Sequence, residues 1–292
     1  MSTDPQLLRR TAELAVEYLE GLPDRPVMGQ HDVATLRAEL VTDLPESGED
    51  PATVIERLAE VGGRAAVAMA GPRYFGFVIG GALPSTIAAD WLTSTWDQNA
   101  GLYVAGPSAA VVEEVALEWL RELLGLPEGV SAGFVTGCQM AHVTALAAAR
   151  QHVLEQAGWD LLGDGLQGAP RIRVLVGEQR HVTIDRALRY LGIGARQIEP
   201  VAADGQGRIR PDALRKALDP VAGPTIVCAQ AGGVNSGCFD PLDEVADIVA
   251  GSGAWLHVDG AFGLWAGAPP VSGTSRPESS APTRGRPTAT SG

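Results

Sequence analysis

The sequence is almost without lysine. Of its 22 basic residues only Lys216 is a lysine, so any chemistry that needs a side-chain amine has a single candidate. Aromatic residues make up 5% of the chain, which leaves a core to aliphatic side chains. The three cysteines (Cys138, Cys228 and Cys238) are an odd set without metal-ligand spacing. That argues for buried thiols in a cytoplasmic protein over a disulfide or redox pair. Positive charge is scarce too: the net charge is −13 and the pI about 4.8, spread along the chain, which argues against a nucleic-acid partner. No apolar run is long enough to span a bilayer, and Met1 to Pro5 lack the basic and apolar regions of a signal peptide. A soluble, cytoplasmic protein without a membrane partner is the expectation. A strand-to-helix Gly-x-Gly-x-x-Gly turn with a following acidic residue is missing, which removes the dinucleotide-binding oxidoreductases.

What remains is ample apolar material, enough in 292 residues for one large domain or two modest ones. Leu7, Leu8, Leu14, Ala15 and Tyr18 form a helical stripe that Gly21 and Pro23 end. A Pro-, Asp- and Glu-rich stretch follows to Pro51, and a second helix opens at Ala52 after Asp50. Tyr74, Phe75, Phe77 and Val78 predict an extended segment over Arg73 to Ile79. Helices are predicted over Pro84 to Thr95 and Ser108 to Leu124. From Gly133 the pattern becomes strand, loop, helix in repeated units. Predicted strands are Phe134-Val135, Arg171 to Val176, Gln197 to Val201, Thr225 to Ala229 and Trp255 to Val258. The predicted helices between them are Ala141 to Gln156, Thr183 to Leu191, Pro211 to Leu218 and Pro241 to Ala250. Such alternation predicts an α/β fold, a mostly parallel sheet covered by helices. After about Pro270 the chain is rich in Ser, Thr, Pro, Gly and Arg, with one Val as its only large apolar residue. The tail 271–292 cannot bury a core and is expected to be disordered.

Four places carry candidate chemistry. Gly137, Cys138 and Gln139 form a turn into a long helix, where backbone N–H groups suit a phosphate and equally a plain structural turn. His181 closes a strand, where a histidine is commonly structural. Gln230 opens the polar loop after the Thr225 strand. Asp259 ends the hydrophobic run Trp255-Leu256-His257-Val258, and a carboxylate there is costly unless paired. A helix cap, a salt bridge or a protonated ring nitrogen would each serve as its partner.

In this order the motifs resemble those of the pyridoxal-phosphate (PLP) decarboxylases of the group that includes the aromatic-amino-acid and glutamate enzymes, from about Arg73 to Pro270. The resemblance implies the PLP-dependent transferase-like fold type I, a three-layer αβα large domain. It places that partial domain at 61–270, after an N-terminal helical segment, 1–60. It implies that Asp259 pairs with the cofactor's pyridine nitrogen and that His181 stacks on the ring, both catalytic. Gly137 to Gln139 would hold the phosphate, Gln230 would lie under the cofactor, and Ala261 would leave room for the ring. Cys138 and Gln139 depart from the small residues usual there. Gly71 to Gly76 and Trp96 to Asn99 resemble segments near the substrate mouth, often at a dimer interface. The implied activity is conversion of an L-amino acid to an amine and CO₂ by a homodimer. An aldehyde-forming lyase or an aminotransferase on the same fold remains open.

The family also carries a lysine, some tens of residues beyond the matching Asp, that binds the cofactor covalently. Lys216 precedes Asp259, in an exposed-looking setting. The chain as it stands is therefore expected to bind PLP weakly and to be inactive alone. Codons for Arg286 to Gly292 read one nucleotide earlier permit Asp, Gly, His, Lys and Trp, the missing motif type. A frameshift between Ala268 and Gly273 is the expectation this raises. The rival is a non-catalytic partner subunit of a full-length paralogue.

Overall fold

The structure is a computed structural model that describes residues 4–29, 32–40, 43–44, 46–218, 223–268 and 290–291. The chain divides into two compact units, Met1–Asn99 and Ala100–Gly292. The domain boundary expected near residue 60 falls within a continuous helical run of the first unit.

In the first unit, α1 (Pro5–Gly21) begins where the Asp4 carboxylate accepts the N–H groups of Gln6 and Leu7, 3.1 Å each, ahead of a first-turn proline. Helix α2 (Val33–Leu40) falls in the Pro-, Asp- and Glu-rich stretch before Pro51, where no helix was predicted. Asp32 starts it by accepting the N–H of Ala34 (2.8 Å) and Thr35 (3.0 Å). Asp50 does the same for α3 (Pro51–Arg57), which runs through a π-helical turn, Leu58–Gly62, into α4 (Gly63–Ala65). Arg10 on α1 donates to Glu56 on α3 at 2.6 Å. Helix α5 (Pro84–Trp96) ends at Asp97 with φ +48°.

The strand expected over Arg73 to Ile79 does not form. Phe77 and Val78 sit at φ +56° and +54°, in turns. Strand-forming side chains need a ladder for their backbone, and no strand is described in this unit to supply one.

The second unit holds α6 (Pro107–Leu123), α7 (Cys138–Gln156), α8 (Leu161–Asp164), β1 (Arg173–Gly177), α9 (Val182–Tyr190), β2 (Ile198–Val201), α10 (Pro211–Leu218), β3 (Thr225–Gln230), α11 (Leu242–Ala250), β4 (Trp255–Asp259) and β5 (Thr290–Ser291). All strand pairs are parallel, in the order β2-β1-β3-β4-β5. Alternate residues of each strand enter different cores. Val174, Val176, Ile226 and Cys228 pack with Leu146, Val153, Ile184 and Leu188 of α7 and α9. Leu175, Val227, Leu256 and Val258 pack with Leu214, Val245 and Val249 of α10 and α11. A sheet covered on both faces is the αβα architecture that continuous apolar strands demand.

Phe134 and Val135 are unpaired and exposed, because no described strand runs beside them. Gly163 to Gly168 does spell Gly-x-Gly-x-x-Gly. It begins in the last turn of α8 and runs toward β1, so it opens no helix and offers no phosphate seat. Of the tail, only Thr290 and Ser291 are described, paired with His257 and Val258 at the sheet edge. The disorder expected there otherwise lies outside the described residues.

Candidate active site

The chain passes from β1 outward to β2 and returns to β3 on the other side of β1. The strand order thus reverses between β1 and β3, and open parallel sheets bind ligands in the crevice at the carboxyl ends beside such a reversal. A cleft lies there, lined by Gln179, His181, Ile184, Cys228, Gln230 and Asp259, among others.

Asp259 is placed by the register of β4, which sets it opposite Gln230 of β3. The Ala231 N–H donates to its carbonyl at 2.8 Å. Its side chain is buried; one oxygen accepts the Ala261 N–H at 3.1 Å and the other lies 3.5 Å from His142 Nε2. Burial pushes this carboxyl up, but the contacts with His142, the Ala261 N–H and the His257 ring outweigh it and hold the group below its ordinary value. A carboxylate with two such contacts keeps lone pairs for a further donor.

His142 is fully buried on α7 and continues the chain of contacts: its Nδ1 lies 3.0 Å from His257 Nε2. Burial, with His142 adding to it, lowers His257 to about 4, so it is neutral at pH 7. His257 Nδ1 has no partner among the described residues. Cys138 Sγ approaches His142 Nε2 at 3.5 Å. Burial and the nearby Asp259 charge raise its thiol; burial, chiefly, raises Cys228 to about 12.

Gly137, at φ +92°, turns the chain into α7, in a conformation that suits glycine. The helix starts three residues before the predicted Ala141, so Cys138 and Gln139 belong to its first turn, where N–H groups have no intrahelical acceptor. Gln139 Nε2 donates to the Thr183 carbonyl at 3.2 Å, tying α7 to α9. His181 caps α9 and is exposed; its Nδ1 accepts the Thr183 N–H at 3.4 Å and lies 2.8 Å from the Thr183 hydroxyl.

The loop after β3 is held by Asp240, a buried acid that sequence reasoning passed over. Its two oxygens accept the N–H of Ile209 and of Gln230, each at 2.7 Å. Burial pushes its carboxyl up while these donors pull it back. Asp240 follows a turn and so resembled a surface residue. The Cys138 to His142 spacing of four on one helix was the signal available for His142. His257 carried none, since its partner is 115 residues away.

Lys216 is exposed near the C-terminal end of α10. That end leads back to the start of β3, the edge of the sheet opposite the cleft. Gln230 and Asp259, which close β3 and β4, lie at the carboxyl edge instead.

The profile of the pyridoxal-dependent decarboxylase conserved domain matches residues 35–273, and the chain belongs to this family. The aromatic-L-amino-acid decarboxylase of Bacillus atrophaeus is 32% identical over 262 residues, covering 88% of this chain and 52% of that protein. A human acidic amino acid decarboxylase is 31% identical over 232 residues, 78% of this chain and 43% of the relative. Among solved structures, mouse CSAD superposes with a TM-score of 0.81 at 27% identity, covering 90% of this chain and 56% of the other. Oryza sativa TDC with PLP and tryptamine gives 0.78 at 26% identity, covering 88% and 56%. The fold is therefore an incomplete fold type I large domain, and the chain spans about half the length of the curated relatives it matches. PLP is the cofactor of this family. Among the described residues, no helix is long and apolar enough to cross a membrane.

Proposed function

We propose that this chain supplies the cofactor cradle of an amino-acid decarboxylase, and that residues 1–292 on their own hold PLP non-covalently without releasing CO₂. The observation that carries the reading is Asp259: a carboxylate 6% exposed, ionised and at the carboxyl end of a central strand beside the cleft. A pyridine nitrogen is a donor that such a group fits. The N–H groups of Cys138 and Gln139 would take the phosphate, and His181 would cover the ring face. Gln230 lies on the cleft floor, and Ala261 offers only a methyl beside the ring.

When bound, PLP supplies an electron sink for the pair left behind by departing CO₂. The chain's own part is electrostatic and positional. Asp259 would hold a proton at the pyridine nitrogen, the condition under which the ring supplies that sink. His142 holds the carboxylate oriented and keeps it ionised. Asp240 fixes the backbone at Gln230, and Ile184 and Cys228 present an apolar wall. No amine is at hand: Lys216 lies at the far edge of the sheet.

The substrate class is an L-amino acid, as the names of the relatives support. A dimer of like subunits is part of the reading. Phe75 and Phe77, each 91% exposed, and Trp96 at 58% form apolar surface that a partner would cover. Three free cysteines support a reducing, cytoplasmic setting.

The test is CO₂ release from aromatic, acidic and diamino L-amino acids by residues 1–292 with saturating PLP. No release is expected. Turnover that vanished in Lys216→Arg would overturn the reading.

A further inference from the structure

We propose that Cys138, His142 and Asp259 form a binding site for one divalent transition-metal ion of the zinc class, where the first turn of α7 meets the end of β4. Cys138 and His142 stand four residues apart and so share one face of α7. The Cys138 Sγ to His142 Nε2 distance is 3.5 Å, as is that from Nε2 to the Asp259 carboxylate. All three donor atoms lie within 4.8 Å of one another. A tetrahedral ion with bonds of about 2.3 Å to sulfur and about 2.0–2.1 Å to nitrogen and oxygen places its ligands about 3.4–3.6 Å apart. The two measured separations match; the third, between Cys138 Sγ and the Asp259 carboxylate, is at most 4.8 Å, and binding requires the Cys138 side chain to close it.

Nε2 of His142 faces both the Cys138 sulfur and the Asp259 carboxylate, and its single N–H or lone pair serves one of them at a time. An ion at the centre of the three satisfies all of them. Charge agrees: a thiolate, a carboxylate and a neutral imidazole sum to −2, which a divalent ion neutralises. The other ring nitrogen of His142 is engaged by His257 Nε2 at 3.0 Å. A metal-binding histidine is commonly oriented in this way by a second partner.

A mixed S, N, O donor set favours zinc or cobalt over magnesium and calcium, which prefer oxygen. Three protein ligands leave a fourth position for water or another small donor. The inference goes beyond the cofactor reading and needs no PLP.

The test is titration of the cofactor-free 292-residue chain, under a phosphine reductant, first with Co²⁺ and then with Zn²⁺. One Co²⁺ per chain is expected, with tetrahedral ligand-field absorption, a thiolate-to-cobalt charge-transfer band, and displacement by one equivalent of Zn²⁺. Cys138→Ser, at an exposed position that folding tolerates, should abolish that band and weaken Co²⁺ at least about tenfold. Asp259→Asn should weaken it similarly. An octahedral spectrum, binding well below one ion per chain, or a thiolate band that survives Cys138→Ser would overturn the proposal. The last result would place the ion on Cys228 or Cys238.

Discussion

Asp240→Ala probes what holds the floor of the cleft. Asp240 is 8% exposed and gives one oxygen to the N–H of Ile209 and the other to that of Gln230. Truncation strands both donors, and a buried donor left without a partner costs about 1–3 kcal/mol. Two would cost about 2–6 kcal/mol, reduced because removing a buried acid also relieves its own desolvation. About 3 kcal/mol is the expected loss. For a unit the size of 100–292, this lowers Tm by about 6–12 °C, at about 2–4 °C per kcal/mol. Asp240→Asn is the sharper variant. Its amide keeps one acceptor but turns an NH₂ toward the second N–H, so it should recover less than half of the loss. Thermal unfolding by circular dichroism reads both. A drop under about 2 °C for Asp240→Ala, or wild-type Tm for Asp240→Asn, would refute the reasoning.

Three further expectations concern other parts of the second unit. Arg173 clamps Glu199 at 2.9 and 2.6 Å, and that hydrogen bond holds the Glu199 carboxyl below its ordinary value of 4.5. The folded pKa is the lower one, so the pair's contribution is complete above the unfolded value and is lost as pH falls through the folded one. Below about pH 4.5, Glu199→Gln should therefore unfold with a shallower pH dependence of its urea midpoint; parallel curves would show that the pair contributes nothing. Gly263→Ala would set a Cβ 2.5 Å from both the Ala231 carbonyl oxygen and Phe239 Cε1. That overpacking should cost about 1–3 kcal/mol, and an unchanged Tm would contradict it. If metal and cofactor both need Asp259, saturating Zn²⁺ should lower PLP affinity at least about tenfold in equilibrium dialysis. Unchanged affinity would mean that they do not share it.

The second unit was largely legible because its strands are short apolar runs and its helices carry caps, prolines and periodic leucines. The carboxyl-terminal ends of β1, β3 and β4 were predicted within one residue, so Asp259 could be placed at a carboxyl edge. Aromatic propensity misled at Tyr74 to Val78, because a strand exists only beside another strand. The α7 start was missed by three residues, since Cys138 and Gln139 were read with Gly137 as part of the turn. His142 was hidden in an alanine-rich helix with little contrast between faces. Its relation to Asp259 and His257 depends on the packing of α7 against β4, which no local pattern encodes.

The most direct test of the account is PLP binding to residues 1–292, followed by absorbance and after borohydride treatment, for wild type, Asp259→Asn and Lys216→Arg. A charge-assisted bond is worth about 1.5–3 kcal/mol, so Asp259→Asn should bind PLP about 10–100-fold more weakly. Lys216→Arg should match wild type, and borohydride should fix no cofactor to either. Equal affinity for wild type and Asp259→Asn, or borohydride labelling of Lys216, would contradict the account.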